Sequence, residues 1–149
     1  MGYGTDGLTF RTLRAANIKR LPLFKDAKGR TCHAPTDDPK TAGFDWTPAQ
    51  WLQAVVGELG EYANARKKVE RGDMTEGEAK EKLASELADV TIYLDLLAHR
   101  LGIDLGAAVM RTWNAKSEKL GIGLYIDAED WHFTKGVGES NYDPHGTGR

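Results

Sequence analysis

The stretch that decides the fold runs from Thr47 to Gly102, TPAQWLQAVVGELGEYANARKKVERGDMTEGEAKEKLASELADVTIYLDLLAHRLG. It opens on Thr47, a good helix cap, followed by Pro48 at the position where proline suits a first turn and by Gln50, which completes a capping box. Leu52, Val55, Val56, Leu59 and Ala63 then recur at helical spacing until Gly72 ends the run. A second start follows at Thr75 with Glu78 three residues on. Its stripe is Leu83, Leu87, Val90, Leu94, Leu97 and Leu101, and Gly102 is a natural stop. Each segment of about 25 residues makes a helix roughly 37 Å long. Gly72-Asp73-Met74 joins them, so the two form an antiparallel hairpin.

Outward from the hairpin the signals weaken. Asp104 caps a further helix carrying Leu105, Ala108, Val109, Trp113 and Leu120, closed by Gly121. Upstream, Phe10, Leu13 and Ile18 allow a short helix over Thr9–Arg20 that Pro22 stops, behind a glycine-rich start expected to fray. Residues 25–45 lack periodicity and read as a long loop, a length that is often functional or mobile. Beyond residue 121 the pattern dissolves, and 136–149 read as a disordered tail. The expected class is all-α. Residues 1–45 give a short helix and loop, 46–121 the helical core, and 122–149 a largely irregular extension. Stripes this long need more partner surface than one short helix offers, so a homodimer or homotetramer completing a four-helix bundle is expected.

Composition narrows the function. The chain has 149 residues, with 20 Lys+Arg against 22 Asp+Glu and a formal net charge of −2. That balance argues against a nucleic acid polymer as partner, because phosphate backbones are held by a basic excess. No apolar run approaches the roughly 20 residues of a membrane span, and the N-terminus lacks the pattern of a signal peptide. A single cysteine, Cys32, excludes an internal disulfide framework. A cytoplasmic protein with no membrane partner is expected.

Four carboxylates carry the chemistry. With the apolar face of the first long helix centred near Leu59, Glu58 falls about 100° to one side and Glu61 about 60° further round. On the second, Glu86 lies about 40° from the centre at Val90, within the leucine stripe, and Asp89 borders it at about 100°. An unpaired carboxylate among leucines costs several kcal/mol unless protonated, paired or metal-bound. One Glu-x-x-Glu alone reads as solvated surface. Two acidic pairs on consecutive antiparallel helices point instead to a divalent cation, and a pure oxygen donor set favours Mg2+, with Mn2+ as its substitute. Lys116 lies about 20° from the centre of the face of Val109, Trp113 and Leu120; it either snorkels to water or meets a phosphate oxygen. Tyr93, one turn beyond Asp89, either packs in the core or lines the same site.

These residues also carry a likeness. Trp51-Leu-Gln-Ala-Val-Val-Gly-Glu-Leu-Gly-Glu-Tyr-Ala-Asn resembles the first metal-binding helix of the MazG-like, all-α nucleotide pyrophosphohydrolases. Glu86-Leu-Ala-Asp-Val-Thr-Ile-Tyr-Leu-Asp resembles the second, and Thr112-Trp-Asn-Ala-Lys-Ser the substrate-binding third. Ala16-Asn17-Ile-Lys-Arg20-Leu with Asp45-Trp46 is similar to small, phage-type members. The resemblance implies Mg2+-dependent hydrolysis of a nucleoside triphosphate between its α- and β-phosphates, releasing monophosphate and pyrophosphate. It implies that Glu58, Glu61, Glu86 and Asp89 hold the metal. Glu61, with Glu58, takes the catalytic part, Glu61 accepting the proton of the attacking water. Asn114 and Lys116 match positions that contact phosphate or sugar, and Trp46 or Tyr93 would stack on the base. Thr112 stands where many relatives carry a basic residue, with Arg111 one place earlier.

Rival constellations are weaker. Glu129-Asp-Trp-His132 is a Glu-x-x-His, but a di-iron bundle needs two on core helices. Cys32-His33 with His99 or His132 lacks zinc-site spacing. Arg66-Lys67-Lys68 and Glu70-Arg71 read as a solvated face with short-range charge pairs, although Lys68 shares the Glu61 side. Two classes remain: the pyrophosphohydrolase, with a phosphoribosyl-nucleotide as a related substrate, or a non-catalytic dimerisation or regulatory module whose acids bind structural metal or partner helices.

Overall fold

The computed structural model describes residues 7–25, 29, 46–126 and 133–135. Of the loop expected over 25–45, only Lys25 and Gly29 are among them. The tail over 136–149, Cys32, His33 and the Glu129–His132 motif lie outside the described residues. The chain divides into two compact units, Met1–Ile103 and Asp104–Arg149.

The first unit contains α1 (Phe10–Arg20), a 3-10 turn at Leu21–Leu23, α2 (Pro48–Glu70) and α3 (Glu76–Arg100). The helices begin and end where their local chemistry dictates. At α2 the Thr47 amide donates to Gln50 Oε1 at 2.9 Å while the Gln50 amide donates to Thr47 Oγ1 at 3.3 Å. The same reciprocal box opens α3 through Thr75 and Glu78, at 2.8 and 3.2 Å. Behind α2, Gly72 takes a φ of 78°, which only glycine adopts freely. Its amide bonds to the Val69 carbonyl, and that of Asp73 to the Lys68 carbonyl, both at 2.9 Å. This paired return caps the orphan carbonyls and reverses the chain. Gly102 ends α3 in the same way, with its own amide on His99 and that of Ile103 on Ala98.

Which face is buried differs from the expectation. α2 packs along α3, and α1 packs on α3. The buried positions of α2 are Trp51, Val55 and Ala65, and those of α3 are Ala79, Glu86, Asp95, Leu96 and Ala98. Leu52, Val56 and Leu59 of the expected stripe are about half exposed, as are Leu87 and Leu101, with Leu94 at 40%. The cause is a second stripe on α2, Trp51, Val55, Glu58, Tyr62 and Ala65, rotated about 100° from the first. Its small and aromatic side chains let two helices approach, whereas the leucines form an outer row. The apolar centre is Leu21, Trp51 and Leu96, with Phe24, Trp46, Ile92, Tyr93 and Leu97 packed against it. On α1 the buried residue is Asn17, while Ile18 is 43% exposed. This helix therefore docks through polar groups and not mainly through the three apolar residues read from sequence.

The second unit holds α4 (Leu105–Leu120), capped by the Asp104 carboxylate on the Ala107 amide at 2.9 Å, and closed at Gly121. It also contains a feature the sequence reading missed. Strand β1 (Leu124–Ile126) pairs antiparallel with β2 (Phe133–Lys135), with Tyr125 opposite Thr134. Part of the extension expected to be irregular is thus a short two-stranded ribbon, the other regular elements among the described residues being helical. Among the described residues, no helix is long and apolar enough to cross a membrane.

Candidate metal centre

The buried seam of the hairpin changes character along its length. Glu58 is two turns from Trp51 on the same face of α2, and Glu86 is two turns from Tyr93 on α3. An antiparallel pair joined by a short turn brings those like positions side by side. At one level lies the aromatic cluster, where the Trp46 and Trp51 rings are 4.6 Å apart and Trp51 and Tyr93 are 6.2 Å apart. Two turns away lie the acids. Oxygen atoms of Glu58, Glu86 and Asp89 all fall within 4.8 Å of one another. Glu86 is buried, and the other two are half-buried.

Glu61 stands apart from this trio. Its side chain is 59% exposed, and its Oε2 lies 3.9 Å from Lys82 Nζ. The same ammonium donates to Glu86 Oε1 at 2.6 Å. Lys82 was not singled out from sequence, although its position four residues before Glu86 is the spacing of a helical ion pair.

Crowding three acids has a visible electrostatic consequence. Burial pushes the Glu58 carboxyl above the ordinary carboxylate value, assisted by its hydrogen bond with Glu86 and by repulsion from Asp89, Glu86 and Glu61. Glu86 moves the other way, chiefly because Lys82 bonds to its ionised form; Glu58 adds a further bond. Opposite displacements of this kind are what two neighbouring carboxyls produce when they interact, the one nearer a cation being favoured as the ionised member. A hard divalent cation would relieve the same repulsion. Oxygen ligands held about 2.1 Å from such an ion lie up to about 4.2 Å apart, so a small side-chain adjustment suffices. The donor set and its spacing therefore fit.

The remaining candidates divide. Tyr93 and Trp46 are components of the aromatic cluster, and the Trp46 carbonyl accepts from Arg100 Nε at 3.1 Å. Asn114 and Lys116 belong to the second unit. Asn114 is engaged with β1: its Nδ2 donates to the Ile126 carbonyl at 3.0 Å, and its Oδ1 accepts from the Ile126 amide at 2.8 Å. Lys116 is exposed. Also absent from the sequence reading is the buried Asp95, held by Arg14 and Asn17 of α1.

Two acidic helices forming an oxygen-only cluster at their interface define a class of candidate cation-binding α-hairpins. Comparison with known proteins finds a similarity: residues 61–132 match the model of the MazG-like family. Glu61, Glu86, Asp89, Asn114 and Lys116 fall inside the matched span, and Glu58 lies three residues before it. No curated protein matches the chain.

Proposed function

We propose that this protein is a Mg2+-dependent nucleotide pyrophosphohydrolase, converting a (deoxy)nucleoside triphosphate into its monophosphate and pyrophosphate. The observation that carries this reading is the convergence of Glu58, Glu86 and Asp89 oxygens within 4.8 Å, on a chain whose MazG-like segment contains two of the three. Glu58, Glu86 and Asp89 would hold the cation, with Glu61 beside them. When bound, it would neutralise triphosphate charge, orient the chain and lower the pKa of an attacking water. Glu61, outside the trio and open to solvent, would accept that water's proton. Trp46 and Tyr93 are the proposed platform for the base. The proposed phosphate or sugar contacts of Asn114 and Lys116 rest on the family likeness alone. A cytoplasmic location is part of the same proposal.

The outer leucine row supports a second copy of the chain as its cover. Leu87, Leu94 and Leu101 repeat at heptad-like spacing while 40–52% exposed, which is costly in water and ordinary in a helix–helix seam. A homodimer or homotetramer is therefore proposed.

One observation favours the rival reading of a non-catalytic module. Lys82 already pairs with Glu86, so the acids are partly compensated by the protein itself. Purified protein incubated with Mg2+ and the eight common NTPs and dNTPs, with products resolved by anion exchange, separates the two. Monophosphate plus pyrophosphate, lost with EDTA and in Glu58→Ala, is the expected outcome. Diphosphate plus orthophosphate would overturn the proposed bond of attack. No turnover from folded, cation-loaded protein would favour the module.

A further inference from the structure

Lys82 is placed unlike the other basic residues of the hairpin. Half-buried Arg66 bonds a Glu76 whose side chain is 70% exposed at the turn end, a pairing that contributes little. Lys82 instead reaches the carboxylate cluster, 2.6 Å from Glu86 and 3.9 Å from Glu61. Its partner Glu86 is buried, whereas 43% of the Lys82 side chain faces solvent. The ammonium therefore supplies positive charge to the same oxygens a divalent cation would require. It can also swing into water without opening a packed core, since its stem is long and flexible.

We propose that Lys82 is the internal counter-cation of the carboxylate cluster, a positioning residue that a divalent ion displaces on binding and that thereby sets the cation affinity. This rests on the reading of Glu58, Glu86 and Asp89 as metal ligands. Without metal, Lys82 holds Glu86 in place and offsets its burial. With metal, the exchange of one cation for another lowers the net gain from binding. The hairpin thus keeps its carboxylates oriented without committing them to a permanently bound ion. The released ammonium lies beside Glu61, where an anionic substrate would approach the bound cation.

The test is Mn2+ binding to the full chain, followed by the loss of the free-ion electron paramagnetic resonance signal, together with melting temperatures with and without Mn2+. Lys82→Gln is expected to bind Mn2+ roughly three- to fivefold more tightly than wild type, the upper end of the scale of losing one partly exposed ion pair. Its metal-free form should melt lower than wild type, and saturating Mn2+ should close that gap. Lys82→Arg retains the charge, and Lys80→Gln removes an exposed charge from the same helix; both should stay within about twofold of wild type, since only loss of the contact relieves the competition. Lys82→Met replaces the glutamine variant should that fail to fold. Unchanged or weaker binding in the neutral Lys82 variants overturns the proposal, as does equal tightening in Lys80→Gln. Wild-type binding that disappears in Glu58→Ala but is unaltered in Lys82→Gln overturns this inference while sparing the metal site. Wild type that binds no Mn2+ removes both.

Discussion

Arg14 and Asp95 form an ion pair between α1 and α3 in which the acid is almost wholly withdrawn from water, its side chain 1% exposed. Arg14 Nε donates to Asp95 Oδ1 at 2.9 Å, and its terminal nitrogen reaches the Ile103 carbonyl at 3.1 Å. Asn17 Nδ2 donates to Asp95 Oδ2 at 2.9 Å, so both carboxylate oxygens are engaged. A buried charge with these partners is tolerable; with one removed it is not. Arg14→Ala is expected to cost about 3 kcal/mol in urea unfolding, through the uncompensated carboxylate left behind. A loss below about 1 kcal/mol would show that Asp95 finds another partner.

Glu58→Gln should separate stability from cation binding. The amide removes the repulsion among three acids while keeping a donor toward Glu86. The metal-free protein should therefore melt higher at about pH 8, where the wild-type carboxyl is most ionised. The same variant should lose most of the melting shift that saturating Mg2+ gives wild type. A wild-type-sized shift in Glu58→Gln would remove Glu58 from the ligand set.

The pH dependence follows from opposite displacements of two neighbours. The folded-state pKa of Glu58 is raised, so its favourable contribution is full below the unfolded value and disappears as pH rises through the folded one. That of Glu86 is lowered, so its contribution is present above the unfolded value and disappears as pH falls through the folded one. If Glu58 is a ligand, as proposed, the cation needs it ionised, so the Mg2+-induced melting shift should grow as pH rises above the ordinary carboxylate range toward neutrality. A shift that does not grow with pH over that range would contradict the proposed placement of Glu58 at the cation.

Asn114→Ala should disturb β1 directly. The substitution strips both side-chain bonds from the Ile126 backbone, a loss of about 1–3 kcal/mol if the groups find no replacement. Hydrogen exchange at the Ile126 amide should accelerate markedly. Unchanged protection there would mean the pairing contributes nothing to the strand, leaving substrate contact as the better account of Asn114.

Leu94→Lys tests the proposed self-association. A charge in the middle of the outer leucine row should convert the assembly to monomer in sedimentation velocity while helix content persists. An assembly of unchanged size would place the interface elsewhere.

Helix boundaries were legible because they depend on residues three apart. Thr47 with Gln50 and Thr75 with Glu78 form their boxes as read, and Gly72, Gly102 and Gly121 take the positive φ their positions require. The buried face was not legible. On α2 the rows through Trp51 and through Leu52 both repeat at helical spacing, and hydrophobicity favours the latter while close packing selects the former. The acidic trio was visible as a pattern, but its division was not: Glu61 is drawn toward Lys82, which adopts its geometry only across the folded hairpin. Arg14 and Asp95 are 81 residues apart, and no local pattern connects them. The β1–β2 ribbon, with three-residue strands, is too short for alternation to register.

The short turn at Gly72 has a kinetic consequence. Glu58 and Glu86 meet across a link of five residues between two helices that carry their own start and stop signals. The loop to be closed is small and the contacts are local, the conditions under which helical proteins fold in microseconds to milliseconds. The acids are thus gathered early, by a part of the chain that need not wait for its more distant segments. Their repulsion is then overcome by helix pairing during folding, and an ion arriving afterwards would act mainly by slowing the hairpin's opening.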